Sequence, residues 1–167
     1  GTANLYVVRL TDGVILKVIP TNNAMTGNGL GSTVIVRKTS GAQDTIDYVY
    51  GADYKGHIWR FDLSDSTMSN WPGTGALIYS TPTGRPITAE ITVGPAPASP
   101  LTTGGNMIYF GTGSYLSATD PATTTVQALY GIYDDLLWGL NTAAFAVYAN
   151  LSSMTISTTA GSDVRTT

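Results

Sequence analysis

Few of the 167 residues could carry catalytic chemistry. His57 is the single histidine and there is no cysteine. A two-histidine metal site, a thiolate zinc site, a cysteine nucleophile and any disulfide are therefore all excluded. A serine–histidine–aspartate triad would have to run through His57, which sits beside Gly56 and reads as a turn residue. Asp44, Asp47 and Asp53 surround one hairpin. Carboxylates at short odd spacings in a loop can hold calcium through oxygen ligands, and the same residues can cap turns by accepting backbone N–H groups. Both readings stay open, although Thr39, Ser40 and Gln43 stand where further carboxylates would help calcium. Asp134-Asp135 is a second acidic pair and reads as a solvated turn. Gly27, Gly29 and Gly31 lack the strand-to-helix setting and the following lysine of a phosphate loop, so they read as a plain loop. Ten tyrosines and three tryptophans are numerous enough to stack on sugars or on a partner. Trp71 and Trp138 are the candidates for that; aromatic residues alternating in strands are core.

The elements that would position these residues are strands. Asn4–Leu10 and Val14–Ile19 flank Asp12-Gly13, a hairpin signal because glycine supplies the positive φ of a tight turn. Thr33–Arg37 is a short strand. Asp47–Asp53 and His57–Leu63 flank Gly56 in a second hairpin. In the return strand Ile58, Arg60 and Asp62 point one way, and His57, Trp59 and Phe61 the other. Ala76–Ser80, Ile87–Val93, Asn106–Leu116 and Val126–Asp134 follow, with a Pro/Gly loop at 94–105. Residues 136–149 are apolar and fit a short helix or a strand. Residues 150–167, rich in Ser and Thr, read as an extended or frayed tail.

Composition agrees. Hydrophobic residues make up 43% and charged residues only 11%, against roughly 25% charged in ordinary soluble domains. A core is expected, and a long charge-patterned helix is not. The net charge of −3 argues against a phosphate-reading surface, so no nucleic-acid partner is expected. No stretch reaches the roughly 18 apolar residues of a membrane span. Gly1-Thr2-Ala3-Asn4 carries no signal-peptide pattern and reads as an internal boundary, the start of a piece of a longer chain or of one whose signal has been removed. Leu5-Tyr6-Val7-Val8, Tyr48-Val49-Tyr50-Gly51 and Ile108-Tyr109-Phe110-Gly111 are similar starts, roughly 40–60 residues apart, a spacing that fits propeller blades.

The fold class expected is therefore all-β: antiparallel four-stranded blades of a partial β-propeller, about three in number and similar to the quinoprotein type. The blade-like units are placed at about 4–38, 46–93 and 106–149, with 150–167 as a tail. Three blades are fewer than the four to eight that close a propeller. Open edges are expected, covered by blades outside this chain or by a partner.

Three stretches go beyond generic β patterning. Tyr48 to Leu63, Arg85-Pro86-Ile87-Thr88-Ala89, and Met107 to Leu116 followed by Asp120 and Leu129 to Asp134 resemble the closing blades of the PilC/PilY-type type IV pilus biogenesis and tip adhesin family. The Ser/Thr-rich stretch from Leu151 to Arg165 is similar too. Structural roles follow for Gly56 at the hairpin reversal, Trp59 as a wedge between blades, and Gly111 and Gly113 where backbones approach closely or bulge. The family's calcium loop, of the form Asp-x-Asp-x-Asp-Gly-x-x-Asp, is matched here at its last position by Asp47, while Asp44 stands where glycine is usual. Calcium is the one cofactor the resemblance implies.

The resemblance further implies a non-enzymatic, exported module at the bacterial cell surface, outer membrane or pilus tip. It would support pilus biogenesis, retraction control and adhesion. Its partners would be the remaining blades or N-terminal region of its own parent chain, pilin or minor pilin subunits, and a host or abiotic surface. Two alternatives come from other classes. Ala52, Gly56 and Trp59 loosely resemble the tryptophan-docking repeat of quinoprotein dehydrogenases, which would make the chain an enzyme using pyrroloquinoline quinone. A glycan-binding module would use Trp71 or Trp138.

Overall fold

The computed structural model describes residues 2–22, 25–37, 46–96, 105–136, 156–159 and 162–165. The strands are β1 (Asn4–Val8), β2 (Ile15–Pro20), β3 (Leu30–Arg37), β4 (Ile46–Asp53), β5 (His57–Asp62), β6 (Ala76–Ser80), β7 (Thr92–Pro95), β8 (Asn106–Gly111), β9 (Leu129–Asp134), β10 (Ile156–Thr159) and β11 (Ser162–Arg165). Short 3₁₀ turns at Met68–Asn70 and Asp120–Ala122 are the helical segments among the described residues. No helix there is long and apolar enough to cross a membrane. All strand pairing is antiparallel, as β1-β2, β3-β4-β5-β6, β7-β8-β9 and β10-β11. The chain is all-β with antiparallel sheets, as its patterning implies. The tail at 150–167 contains the β10–β11 hairpin.

Strand pairing divides the chain differently from the sequence units. Leu30–Arg37, grouped by sequence with the first hairpin, hydrogen-bonds to β4 and opens the four-stranded sheet. Ile87–Val93 is not one strand: Ile87 makes a single bridge to Gly113, and regular pairing begins at Thr92 in the next sheet. The reason lies in the side chains. Ile87 and Ile91 are both fully buried although an even spacing with exposed residues between them suits a strand equally well, so here the segment buries its isoleucines without a strand neighbour. Gly94 and Pro95, read as loop, belong to β7. Residues 137–149, the bulk of the apolar segment, lie outside the described residues.

The sheets pack face to face. In the four-stranded sheet, Val49 pairs with Phe61 and Gly51 with Trp59, while Tyr50 pairs with Arg60 and Ala52 with Ile58. Side chains alternate along a strand, so the two sets occupy opposite faces. Val49, Trp59 and Phe61 pack with Leu5 and Ile19 of the first hairpin. Tyr50, Ala52 and Ile58 pack with Ile108, Phe110, Tyr130 and Ile132 of the three-stranded sheet. The middle sheet is thus covered on both sides, and β4 from Val49 to Asp53 and β5 from Ile58 to Phe61 are buried at every position. The outer faces of its neighbours are different. Tyr6, Val8, Ile15 and Val18 are exposed on the first hairpin, Leu10 is 100% exposed, and Tyr109 and Leu129 are exposed on the third sheet.

Two motif glycines behave differently. Gly56 has φ +87, and a Cβ there would collide with the Thr81 hydroxyl and the Arg85 carbonyl. Gly111 has nothing within 4 Å of a built Cβ and sits in a regular pair with Leu129, so the close approach or bulge expected of it is absent. Gly56→Ala should lower stability by roughly 1–3 kcal/mol through backbone strain and steric clash. Gly111→Ala should stay within about 0.5 kcal/mol. Urea unfolding of both variants checks the contrast, and equal midpoints would contradict it.

Candidate functional site

Two buried aspartates organise the middle sheet. The first is Asp53, at the end of β4. Its Oδ1 accepts hydrogen bonds from the Lys55 amide (2.9 Å) and the His57 amide (3.0 Å) across the Gly56 turn. Its Oδ2 accepts from Trp59 Nε1 (2.9 Å) and Asn28 Nδ2 (3.0 Å). His57 Nδ1 lies 2.9 Å from both oxygens. His57 is therefore a turn residue, as its position beside Gly56 implies. Trp59 is locked by its indole N–H while its ring fills the space between the first hairpin and the middle sheet.

These bonds bear directly on the metal reading. A carboxylate offers about four lone-pair positions, and those of Asp53 are taken by internal N–H donors. Asp53 therefore does not fit a calcium ligand. Asp47 lies on β4, and Asp44 falls outside the described residues. No three His, Cys, Asp or Glu side chains among the described residues lie close enough together to hold a metal ion.

The second is Asp134, at the end of β9. The Asp134-Asp135 pair suits a solvated turn by sequence, but Asp134 is completely buried. Arg60 Nη1, itself 1% exposed, donates to its two oxygens at 2.6 and 2.7 Å. Tyr50 donates its hydroxyl to Oδ2 at 2.7 Å, and Asn106 Nδ2 donates to the Tyr50 oxygen at 3.0 Å. The Leu136 amide adds a bond to Oδ1 at 3.0 Å. Arg60 and Tyr50 belong to the middle sheet, Asn106 and Asp134 to the third. The network therefore crosses the sheet–sheet interface. Burial and the neighbouring Asp134 carboxylate push the Tyr50 hydroxyl far above its usual range, so it remains a hydrogen-bond donor at every physiological pH. Nothing in the sequence reading singled out this network. An arginine between Trp59 and Phe61 in an apolar strand was the available signal: a charge in a doubly buried strand needs a partner.

The remaining candidates take plain structural roles. Gly113 has φ +135, donates its amide to the Pro86 carbonyl at 2.7 Å and accepts from Thr88 Oγ1 at 2.9 Å. It thereby ties the 81–88 connection to the third sheet. Trp71 packs at the edge of the core beneath Lys17, whose Nζ lies 5.9 Å from the ring centroid and donates to the Trp71 carbonyl. Trp138 lies outside the described residues. Asp120 closes the loop after β8, and hydrogen bonds led by that from Ser114 hold it well below the usual carboxylate range.

Known proteins match this arrangement. A family model described as the PilY1 beta-propeller domain matches residues 1–150. A type IV pilus biogenesis factor PilY1 homolog of Xylella fastidiosa is 32% identical, over 80% of this chain and 10% of its own length. The type IV pilus biogenesis factor PilY1 of Pseudomonas aeruginosa PAO1 is 29% identical, over 79% of this chain and 13% of its own. The crystal structure of the P. aeruginosa PilY1 C-terminal domain superposes with a TM-score of 0.63 at 25% identity, covering 83% of this chain and 32% of that one. The chain thus spans about a tenth of the length of these relatives and about a third of the solved domain.

Two stability tests follow from the buried aspartates. Asp134→Ala strands the Arg60 cation and should cost about 3–5 kcal/mol, whereas Arg60→Met combined with Asp134→Leu should cost far less than the two single changes added together. A double-mutant cycle by urea unfolding reads this, and additive costs would refute it. For Asp53, burial alone pushes the carboxyl up, but hydrogen bonds from Asn28, Trp59 and His57 outweigh it and hold the group below its ordinary value. A depressed carboxylate stabilises the fold above its unfolded pKa of about 3.9, and that contribution fades as pH falls through the lower folded value. Melting temperatures followed from about pH 7 down to pH 2 should fall less steeply at the acid end in Asp53→Asn than in the parent protein.

Proposed function

The chain belongs to the PilY1 β-propeller family, and on that premise we propose that it is a non-enzymatic blade segment of a type IV pilus biogenesis factor, exported and displayed at the cell surface, outer membrane or pilus tip. The observation that carries this reading is the family match over residues 1–150. The site supports it in kind. The two buried aspartates, Asp53 of the middle sheet and Asp134 of the third, face internal donors, so their chemistry is that of holding sheets together.

Exposed apolar faces support a stacking partner for this segment. An apolar sheet face rimmed by polar residues marks an interaction surface. The remaining blades of the parent chain are the natural cover for the outer faces carrying Tyr6, Val8 and Val18 on one side and Tyr109 and Leu129 on the other. Stacking on those faces would repeat what the middle sheet already does on both of its own. Pilin or minor pilin subunits, and a host or abiotic surface, are the further partners of the assembled protein. Promotion of pilus assembly, opposition to retraction and adhesion are the activities assigned to it.

Deletion of the gene encoding the chain should reduce surface piliation and twitching motility. Restoration with the wild-type gene should recover both, while an Asp134→Ala version should recover less because its sheets separate more readily. Unchanged piliation, twitching and adhesion in the deletion strain would overturn the proposal.

A further inference from the structure

We propose that the cleft where the ends of the middle and third sheets meet binds a neutral saccharide unit. The cleft has a volume of about 450 Å³ and is lined by the β4–β5 turn, the 84–86 connection and the segment from Gly113 to Gln127. That volume falls within the roughly 300–1,000 Å³ of small-molecule sites.

Its walls are held in place. Asp120 accepts hydrogen bonds from Ser114 Oγ, the Leu116 amide, the Ser117 amide and Ser117 Oγ, all between 2.6 and 3.0 Å. The opposite wall is tied by the Gly113 amide to the Pro86 carbonyl. On the third side stands Tyr54, 37% exposed. A Cβ on Gly29 would lie 3.1 Å from its ring and one on Gly31 3.7 Å. Those two glycines, plain loop by sequence, leave the tyrosine a flat seat.

The chemistry of the lining selects the ligand. Among the described residues no Lys, Arg or His lines the cleft, and the one charged group there is a carboxylate that stays ionised. Phosphates and carboxylates are therefore disfavoured by charge. A purely apolar guest would cover the hydroxyls of Thr123 and Thr125 without giving them partners. Gln127 Nε2 donates to the Thr125 and Gly84 carbonyls at 3.1 and 3.4 Å and so fixes that side of the cleft. A sugar ring meets these demands together, with an apolar C–H face for the tyrosine ring and hydroxyls that both donate and accept.

The test is titration of the full chain with D-glucose, D-galactose and N-acetyl-D-glucosamine, read by saturation-transfer NMR and calorimetry, with inorganic phosphate and acetate as controls. At least one sugar should bind saturably. Tyr54→Ala removes the stacking face and should weaken that sugar about tenfold or more. Thr123→Trp, at an exposed position, should block the cleft and abolish binding with an unchanged circular dichroism spectrum. Three silent sugars, binding that survives Thr123→Trp, or phosphate binding in place of sugar would each overturn the proposal. Piliation is measured separately, so failure here leaves the pilus reading untouched.

Discussion

The arrangement turns on a single buried charge. Arg60 lies in the central strand of a sheet covered on both faces, and an unpaired guanidinium there would be prohibitively costly. Its partner, Asp134, comes from a different sheet. A one-residue slip of β5 or β9 within its own sheet would turn Arg60 or Asp134 to the wrong face, so the pair holds both strands in register. Apolar packing between Ile58, Ile108 and Ile132 supplies attraction but little direction. The ion pair, with the Tyr50 hydroxyl donating to Asp134 and Asn106 donating to Tyr50, supplies the alignment.

The other face of the same sheet follows a different rule. Trp59 and Phe61 pack on Leu5 and Ile19, and polarity enters only at the rim, where Asp53 gathers the indole of Trp59, His57 and the turn amides. One interface is aligned by charge and the other by shape. The chain can build both with so few charged residues because those it has in the core are placed opposite their partners.

Much of this was legible in the sequence, and the rest was not, for physical reasons. The hairpins at Gly13 and Gly56 announce themselves because a local turn needs positive φ. The opposite facing of Ile58 and Trp59 follows from strand period alone. Sheet membership is not local: nothing near Leu30–Arg37 says whether it pairs backward or forward. The fate of Asp134 is hidden for the same reason, since its partner is 74 residues away. The three aspartates offered for calcium show the ambiguity of carboxylates. Asp53 looks the same in sequence whether it meets a cation or a ring of N–H donors, and only its neighbours in space decide.

That separation has a kinetic side. Strands β3 to β6 form a meander of neighbouring hairpins, whose contacts close short loops and form early. Arg60 then belongs to a sheet whose second face has no cover until the chain has been delivered as far as Asp134. In a polypeptide emerging from its N-terminal end, that face stays open to water around the guanidinium until Asp134 follows. A lone cation there keeps the half-built stack soluble and makes a mispaired apolar neighbour a poor substitute. The same residue that aligns the finished interface thus makes an apolar stand-in for Asp134 costly, because it would leave the guanidinium buried and unpaired.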